Sequence, residues 1–151
     1  MRKLFSRKPD LVIGDPQQPY MLRWMLFPRN GLFNVYLHKF MRDDYDRAFH
    51  DHPWWSVSLV VSGGYFEVRP AHDGSTTRHW VPRWSIVPRW ATYSHRIECE
   101  RDEQGQCRPC WTVFVVGPVI RTWGFWCPAG WKPWMDVVEP SNRGVVDKTK
   151  C

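Results

Sequence analysis

With 151 residues the chain can bury one core of ordinary size and is short for two, so a single domain is expected. Charged residues at 24% and hydrophobic ones at 43% fit a soluble globular protein, and no run approaches the length of a membrane span. The formal charge of +6 points toward a polyanion such as nucleic acid, but Arg2, Lys3, Arg7, Lys8, Lys148 and Lys150 place much of it at the two ends, as solvated tails would.

Residues 1–9 read as a flexible basic lead-in, with no apolar stretch long enough for a signal peptide. Thirteen Pro and 10 Gly cut the rest into short segments, which suits an all-β fold. Tyr20 to Phe27 is the first strand expected, closed by the turn cluster Pro28-Arg29-Asn30-Gly31. Leu32 to Phe40 is the second, rich in branched and aromatic residues. Asp43, Asp44 and Asp46 mark a polar connection. Trp54 to Val61 is a strand stopped by Ser62-Gly63-Gly64. Tyr65–Arg69 and Thr76–Val81 form a hairpin about His72-Asp73-Gly74-Ser75, whose Asp-Gly is a common turn dipeptide. Trp84–Val87 and His95–Cys99 are short strands. Trp111–Val116 is the most apolar strand, with Val119–Trp126 returning antiparallel to it. Residues 139–151 read as a flexible polar tail. About ten short strands at close spacing imply a barrel or sandwich over 10–138.

The chemistry concentrates in His50-Asp51-His52. Alternate residues on a strand share a face, so two imidazoles point to one spot, and His95 from another strand is the expected third ligand. Three imidazoles on one side of an ion leave coordination positions open for substrate. The same spacing resembles the first motif of the cupin superfamily, Gly-x5-His-x-His-x3-Glu-x6-Gly. His50, His52 and Gly63 match it, Ser56 stands where the motif has Glu, and Tyr45 or Asp44 lies near its first Gly. In the second motif, Gly-x5-Pro-x-Gly-x2-His-x3-Asn, Pro88 and His95 match with an interval two residues longer. Trp90 replaces the Gly, and Glu98 lies near the Asn position. The strings Arg23-Trp24, Tyr36-Leu37-His38-Lys39-Phe40, Asp46-Arg47-Ala48-Phe49-His50-Asp51-His52-Pro53-Trp54-Trp55 and Trp123-Gly124-Phe125 are similar to small cupin proteins of bacteriophages and prophages.

The resemblance implies a single-domain, all-β, jelly-roll-like double-stranded β-helix, in a bacterial or phage-infected cytoplasm. It also implies a divalent transition metal on His50, His52 and His95, Fe(II) before Zn or Ni. Ser56 in place of a ligand carboxylate leaves the ion its full charge and favours a small anionic substrate, as in three-His cupins that oxidise thiols. Arg47, Arg83 and Arg121 are candidates to hold that anion, Trp54 to line its site, and Tyr93 and Ser56 to contact it or move a proton. Two other readings stand beside this non-haem Fe(II) oxygenase. One is a non-catalytic ligand- or nucleic-acid-binding module; the other is isomerase or hydrolase chemistry on Zn or Ni at the same site.

His38 is expected to be a satisfied strand histidine, or else a group behind the metal or a proton carrier. Glu98 reaches the site only through a bulge, and His72 and His79 receive no role. Cys107-Arg108-Pro109-Cys110 has half of a zinc spacing that Cys99 and Cys127 would complete. With only one close pair, and five Cys without a secretory signal, free cytoplasmic thiols are expected. Eleven Trp exceed what one barrel core holds. Trp84 and Trp111 are expected inside, one of Trp54 and Trp55 outside, and the surplus in a homodimer contact.

Overall fold

The computed structural model describes residues 7–44, 48–71, 73–138, 147 and 149–151. Twelve strands follow one another: β1 Leu11–Asp15, β2 Gln18–Met25, β3 Asn34–Phe40, β4 Phe49–His50, β5 Ser56–Ser62, β6 Tyr65–Pro70, β7 Thr76–Val81, β8 Ile86–Arg89, β9 Arg96–Cys99, β10 Cys110–Val116, β11 Gly124–Cys127 and β12 Gly130–Pro133. One helical turn, α1 Trp134–Val137, closes the series. No helix is long and apolar enough to cross a membrane among the described residues.

The strands form antiparallel sheets. One has six members in the order β1-β2-β3-β10-β5-β8. The others are β12-β11-β4 and β7-β6-β9, and a single bridge between His50 and His95 joins them edge to edge. The joined sheet therefore reads β12-β11-β4-β9-β6-β7, and the cavity described below is lined from both sheets. Inward positions follow the period of two expected for half-buried strands. Ser56, Ser58 and Val60 of β5 are buried on one face, and Cys110, Thr112 and Val116 of β10 on another. Between the sheets Tyr20, Met21, Phe40, Val60, Tyr65, Val81, Ile97 and Cys110 make the main core, while Phe125, Cys127, Val137 and Val138 make a second cluster.

Several expectations change here. β1 precedes the first expected strand and pairs with β2, its Gly14 and Ile13 forming an irregular step that masks strand periodicity. Val119–Trp126 does not return against β10. Its last residues form β11, which pairs with β4 and β12 and so carries the chain into the other sheet. Trp84 is not core: it sits in a turn at φ +70° and is 62% exposed, and β8 begins two residues later. Trp111 lies half-buried, stacked on Trp24 at 5.3 Å with Lys39 over its ring. Asp43 and Asp44 are buried rather than a polar surface connection. The thiols are not all free, since Cys127 on β11 is disulfide-bonded to Cys151. The described part of the expected tail is thereby anchored, with the Asp147 N–H also donating to the Val137 carbonyl at 2.9 Å.

Candidate metal centre

Backbone pairing brings the three histidines together. His50 and His95 are directly opposed in the β4/β9 bridge and exchange both main-chain hydrogen bonds, each at 3.1 Å. Opposed residues of an antiparallel pair project to the same face, so both rings enter the barrel. His52, two residues on, turns the same way, its N–H donating to the Ala91 carbonyl at 3.0 Å. Asp51 between them faces away. It accepts from the Gly124 N–H at 2.8 Å and Trp131 Nε1 at 3.0 Å, and pairs with Arg121 at 2.8 Å. The His-x-His spacing thus gives two imidazoles to the interior and one carboxylate that ties β11 and β12 to the histidine segment.

One donor atom from each of His50, His52 and His95 lies within 4.8 Å of the others, and His52 Nε2 and His95 Nε2 are 3.1 Å apart. Two nitrogens each about 2.1 Å from a common ion lie about 3.0 Å apart at right angles and about 3.4 Å apart at the tetrahedral angle. The observed separation is short enough for both nitrogens to reach one ion.

A carboxylate holds the far nitrogen of His95. His95 Nδ1 donates to Glu67 Oε1 at 2.7 Å, which leaves Nε2 as the ligand atom. Asp44 Oδ2 lies 3.6 Å from His50 Nδ1. Glu67 is the hub: Arg89 donates to Oε1 at 2.7 Å, Tyr93 donates to Oε2 at 2.8 Å, and Arg89 also reaches the Tyr65 hydroxyl at 2.7 Å. Burial pushes the Glu67 carboxyl up, but the His95 hydrogen bond and the Arg89 charge outweigh it and bring it down to about 2. Burial holds His52 well below its ordinary pKa, with the charges of His50, His95, Arg89 and Arg23 adding to the effect. Burial also lowers His95, against the pull of Glu67. Neutral imidazoles are the form a metal needs, and nothing in the donor set conflicts with a divalent transition ion.

The rings open on a cavity of about 360 Å³. Its apolar walls include Ile13, Met21, Phe40, Trp54, Phe114 and Trp123, and its polar lining includes Arg23, His38, Ser58, Tyr65 and Arg89. Trp54 stacks on His52 with ring centroids 4.7 Å apart and an interplanar angle of 8°. Arg23 Nε donates to His38 Nε2 at 2.9 Å, a cross-strand pair fixed by the β2/β3 register. Burial, then the Arg23 charge, keeps His38 neutral.

The other sequence candidates sit elsewhere. Ser56 is buried on the inner face of β5 but outside the cavity lining; Ser58 is the β5 hydroxyl that lines it. Tyr93 touches His95 edge-on at 5.7 Å, and its hydroxyl is committed to Glu67. Arg83 donates to the Val61 carbonyl at 3.0 Å and covers Trp84 outside the cavity. Arg121, paired with Asp51, also lies outside it. Glu98 is buried but pairs with Arg78 and Arg96, on the strand face opposite Ile97 and His95. Arg47, Tyr45 and His72 lie outside the described residues. Sequence reading missed Arg23, Asp44, Glu67 and Arg89. The alternation Tyr65-x-Glu67 on the hairpin arm was the available signal, since a charge on the face of a core Tyr needs a buried partner.

No protein-family model matches the chain, and no curated protein matches it. Among solved structures, the DMSP lyase DddQ from Ruegeria pomeroyi DSS-3 is similar at TM-score 0.55 and 13% identity, over 78% of this chain and 57% of that one. A conserved Klebsiella pneumoniae protein with a double-stranded β-helix domain gives TM-score 0.51 and 17% identity, over 74% and 83%. The fold is an all-β double-stranded β-helix. An FeII HppE in complex with substrate is similar at TM-score 0.54 and 13% identity, over 74% of this chain and 56% of that one. The present chain spans little more than half of the length of the DMSP lyase and of the FeII HppE.

Proposed function

We propose that this cupin holds one divalent transition metal on His50, His52 and His95 and acts, as a non-haem Fe(II) oxygenase, on a small anionic substrate bound in the cavity. The observation that carries the reading is the convergence of three inward imidazoles, two of them with carboxylates behind their Nδ1 atoms. Bound there, Fe(II) supplies the redox chemistry of such an enzyme. The chain's own residues do the rest. Glu67 fixes the His95 ring, and Tyr93 with Arg89 fixes Glu67. Trp54 holds the His52 ring flat against its own, and Phe40, Phe114 and Trp123 exclude water from the substrate's apolar part.

The substrate anion is assigned to Arg23 rather than Arg83 or Arg121. Arg23 lines the cavity, donating to His38 and lying over the Tyr36 ring, and its charge reaches His52. Arg89 also lines it but is neutralised by Glu67 at 2.6 Å. Ser58 replaces Ser56 as the hydroxyl available to a ligand. The likeness to a DMSP lyase supports a second reading at the same site, non-oxidative chemistry with Zn or Ni, and the identity of the ion separates the two.

The test is elemental analysis of the chain purified without chelator, beside His50→Ala and His95→Ala. The reading expects an iron ion per chain that is lost in both variants, followed by O₂ uptake with small carboxylates or thiols. Zn or Ni lost in the same variants would move the search to elimination, isomerisation and hydrolysis. A folded chain that cannot be loaded with any of the three ions at the histidines would refute both.

A further inference from the structure

A second group of donors lies apart from the histidines. Asp43, just after β3, Cys99, the last residue of β9, and Cys107 each offer one ligand atom, and these atoms lie within 4.8 Å of one another. Neither cysteine is in a disulfide. Cys127, which the sequence spacing offered as a fourth thiol, is excluded by its bond to Cys151, and an aspartate takes a place beside the thiols instead.

The site is organised without an ion. Asp43 Oδ1 accepts the Cys99 N–H at 2.6 Å, and Oδ2 is ion-paired with Arg101. Each carboxylate oxygen has a second lone pair, so these bonds aim the group without exhausting it. Cys107 is brought back by a tight loop. Arg101 and Cys107 form a β-bridge, Arg101 Nη1 donates to the Gly105 carbonyl at 2.9 Å, and Asp102 Oδ1 accepts the N–H groups of Gln104 and Gln106 at 3.0 and 2.8 Å. Two sulfurs and a carboxylate oxygen suit a thiophilic divalent ion, with Zn(II) the natural occupant and a fourth position left for water.

We propose that Asp43, Cys99 and Cys107 form a second, structural metal site for Zn(II), independent of the three-histidine centre. Loading releases two thiol protons to solvent for each ion bound, and no electron moves. The ion staples the 100–107 loop and the end of β9 to the segment after β3. That segment also carries Asp44, the carboxylate beside His50.

The experiment is a Co(II) titration of the full, reduced chain, since Co(II) bound to thiolate gives a ligand-to-metal charge-transfer absorption that imidazole ligation does not. The expected result is a thiolate band that disappears on adding Zn(II), persists in Cys110→Ala, and persists in His50→Ala, where it saturates at one Co(II) per chain. The band is lost in Cys107→Ser, a near-isosteric change at a half-buried position, while that variant still binds metal at the histidines. Absence of a thiolate band from folded, reduced protein overturns the proposal, as does a band that survives Cys107→Ser. A parent chain that retains the band while its histidine variants lose no metal would sink the proposed function and leave this site standing.

Discussion

Replacing Glu67 by Gln tests how the three-histidine centre is held. The side chain keeps its size, and the amide oxygen can still accept from His95 and Arg89, now 2.7 Å from Oε1, while the amide NH₂ faces the Tyr93 hydroxyl. What disappears is the charge. Arg89 is 4% exposed and Glu67 is its buried counter-ion, so the variant leaves a guanidinium uncompensated inside the barrel. Breaking a buried pair from one side costs about 3–5 kcal/mol, and at about 3 °C per kcal/mol for a domain of this size the melting temperature falls by roughly 10 °C. Loss of a group orienting a metal ligand typically weakens metal binding by about 10–100-fold. Both quantities are read from melting curves with and without metal and from a calorimetric metal titration, with Glu100→Gln as a surface control. A variant that melts within 2 °C of the parent, to about the precision of such curves, and binds metal as tightly would refute the claim that Glu67 organises the site.

The same structure makes three further statements. Arg23→Leu should weaken binding of small carboxylates by about 10–100-fold, the worth of a charge-assisted hydrogen bond, while metal content stays at the parent level. Calorimetry with benzoate on metal-loaded protein measures it, and an unchanged affinity would place the anion elsewhere. In acid, the folded pKa values of His52 and His95 lie below 6.5 and that of Glu67 at about 2 against 4.5 unfolded, so in both windows the unfolded chain binds more protons. Stability should therefore fall as pH drops below 6.5 and again between 4.5 and 2, and a melting temperature flat across both would contradict the burial of these groups. Gly124→Ala places a Cβ 2.0 Å from the Lys132 carbonyl oxygen, a backbone atom that cannot step aside. A loss above about 3 kcal/mol is expected in urea unfolding, and a neutral result would refute the β11/β12 register.

The His50 and His52 pair was legible because alternate residues of an extended segment share a face, even though β4 itself ends at His50. His95 was legible only through the resemblance, since nothing local says that it lies opposite His50. The hairpin β6–β7 was marked by its Asp-Gly turn, whereas β11 was misplaced because an apolar run does not name its partner strand. Arginines were the hardest to read. Arg23, Arg83, Arg89 and Arg121 look alike in sequence, and their roles divide on which acids meet them. Asp51 takes Arg121 and Glu67 takes Arg89, both pairings across long sequence separations.

Ser56, in the position where a ligand carboxylate is expected, suggests a site that has lost its negative charge. The structure places a carboxylate nearby but behind a ligand: Glu67 pairs with Ile97 across β6/β9, and its diagonal neighbour two residues back is His95. That carboxylate is balanced by Arg89, so it steadies His95 without lowering the charge seen by a substrate. His50, His52 and His95, with Arg23 on the same cavity wall, line a largely apolar chamber. The proposed preference for a small anion rests on Glu67 being balanced by Arg89, not on the bare count of charges in the sequence.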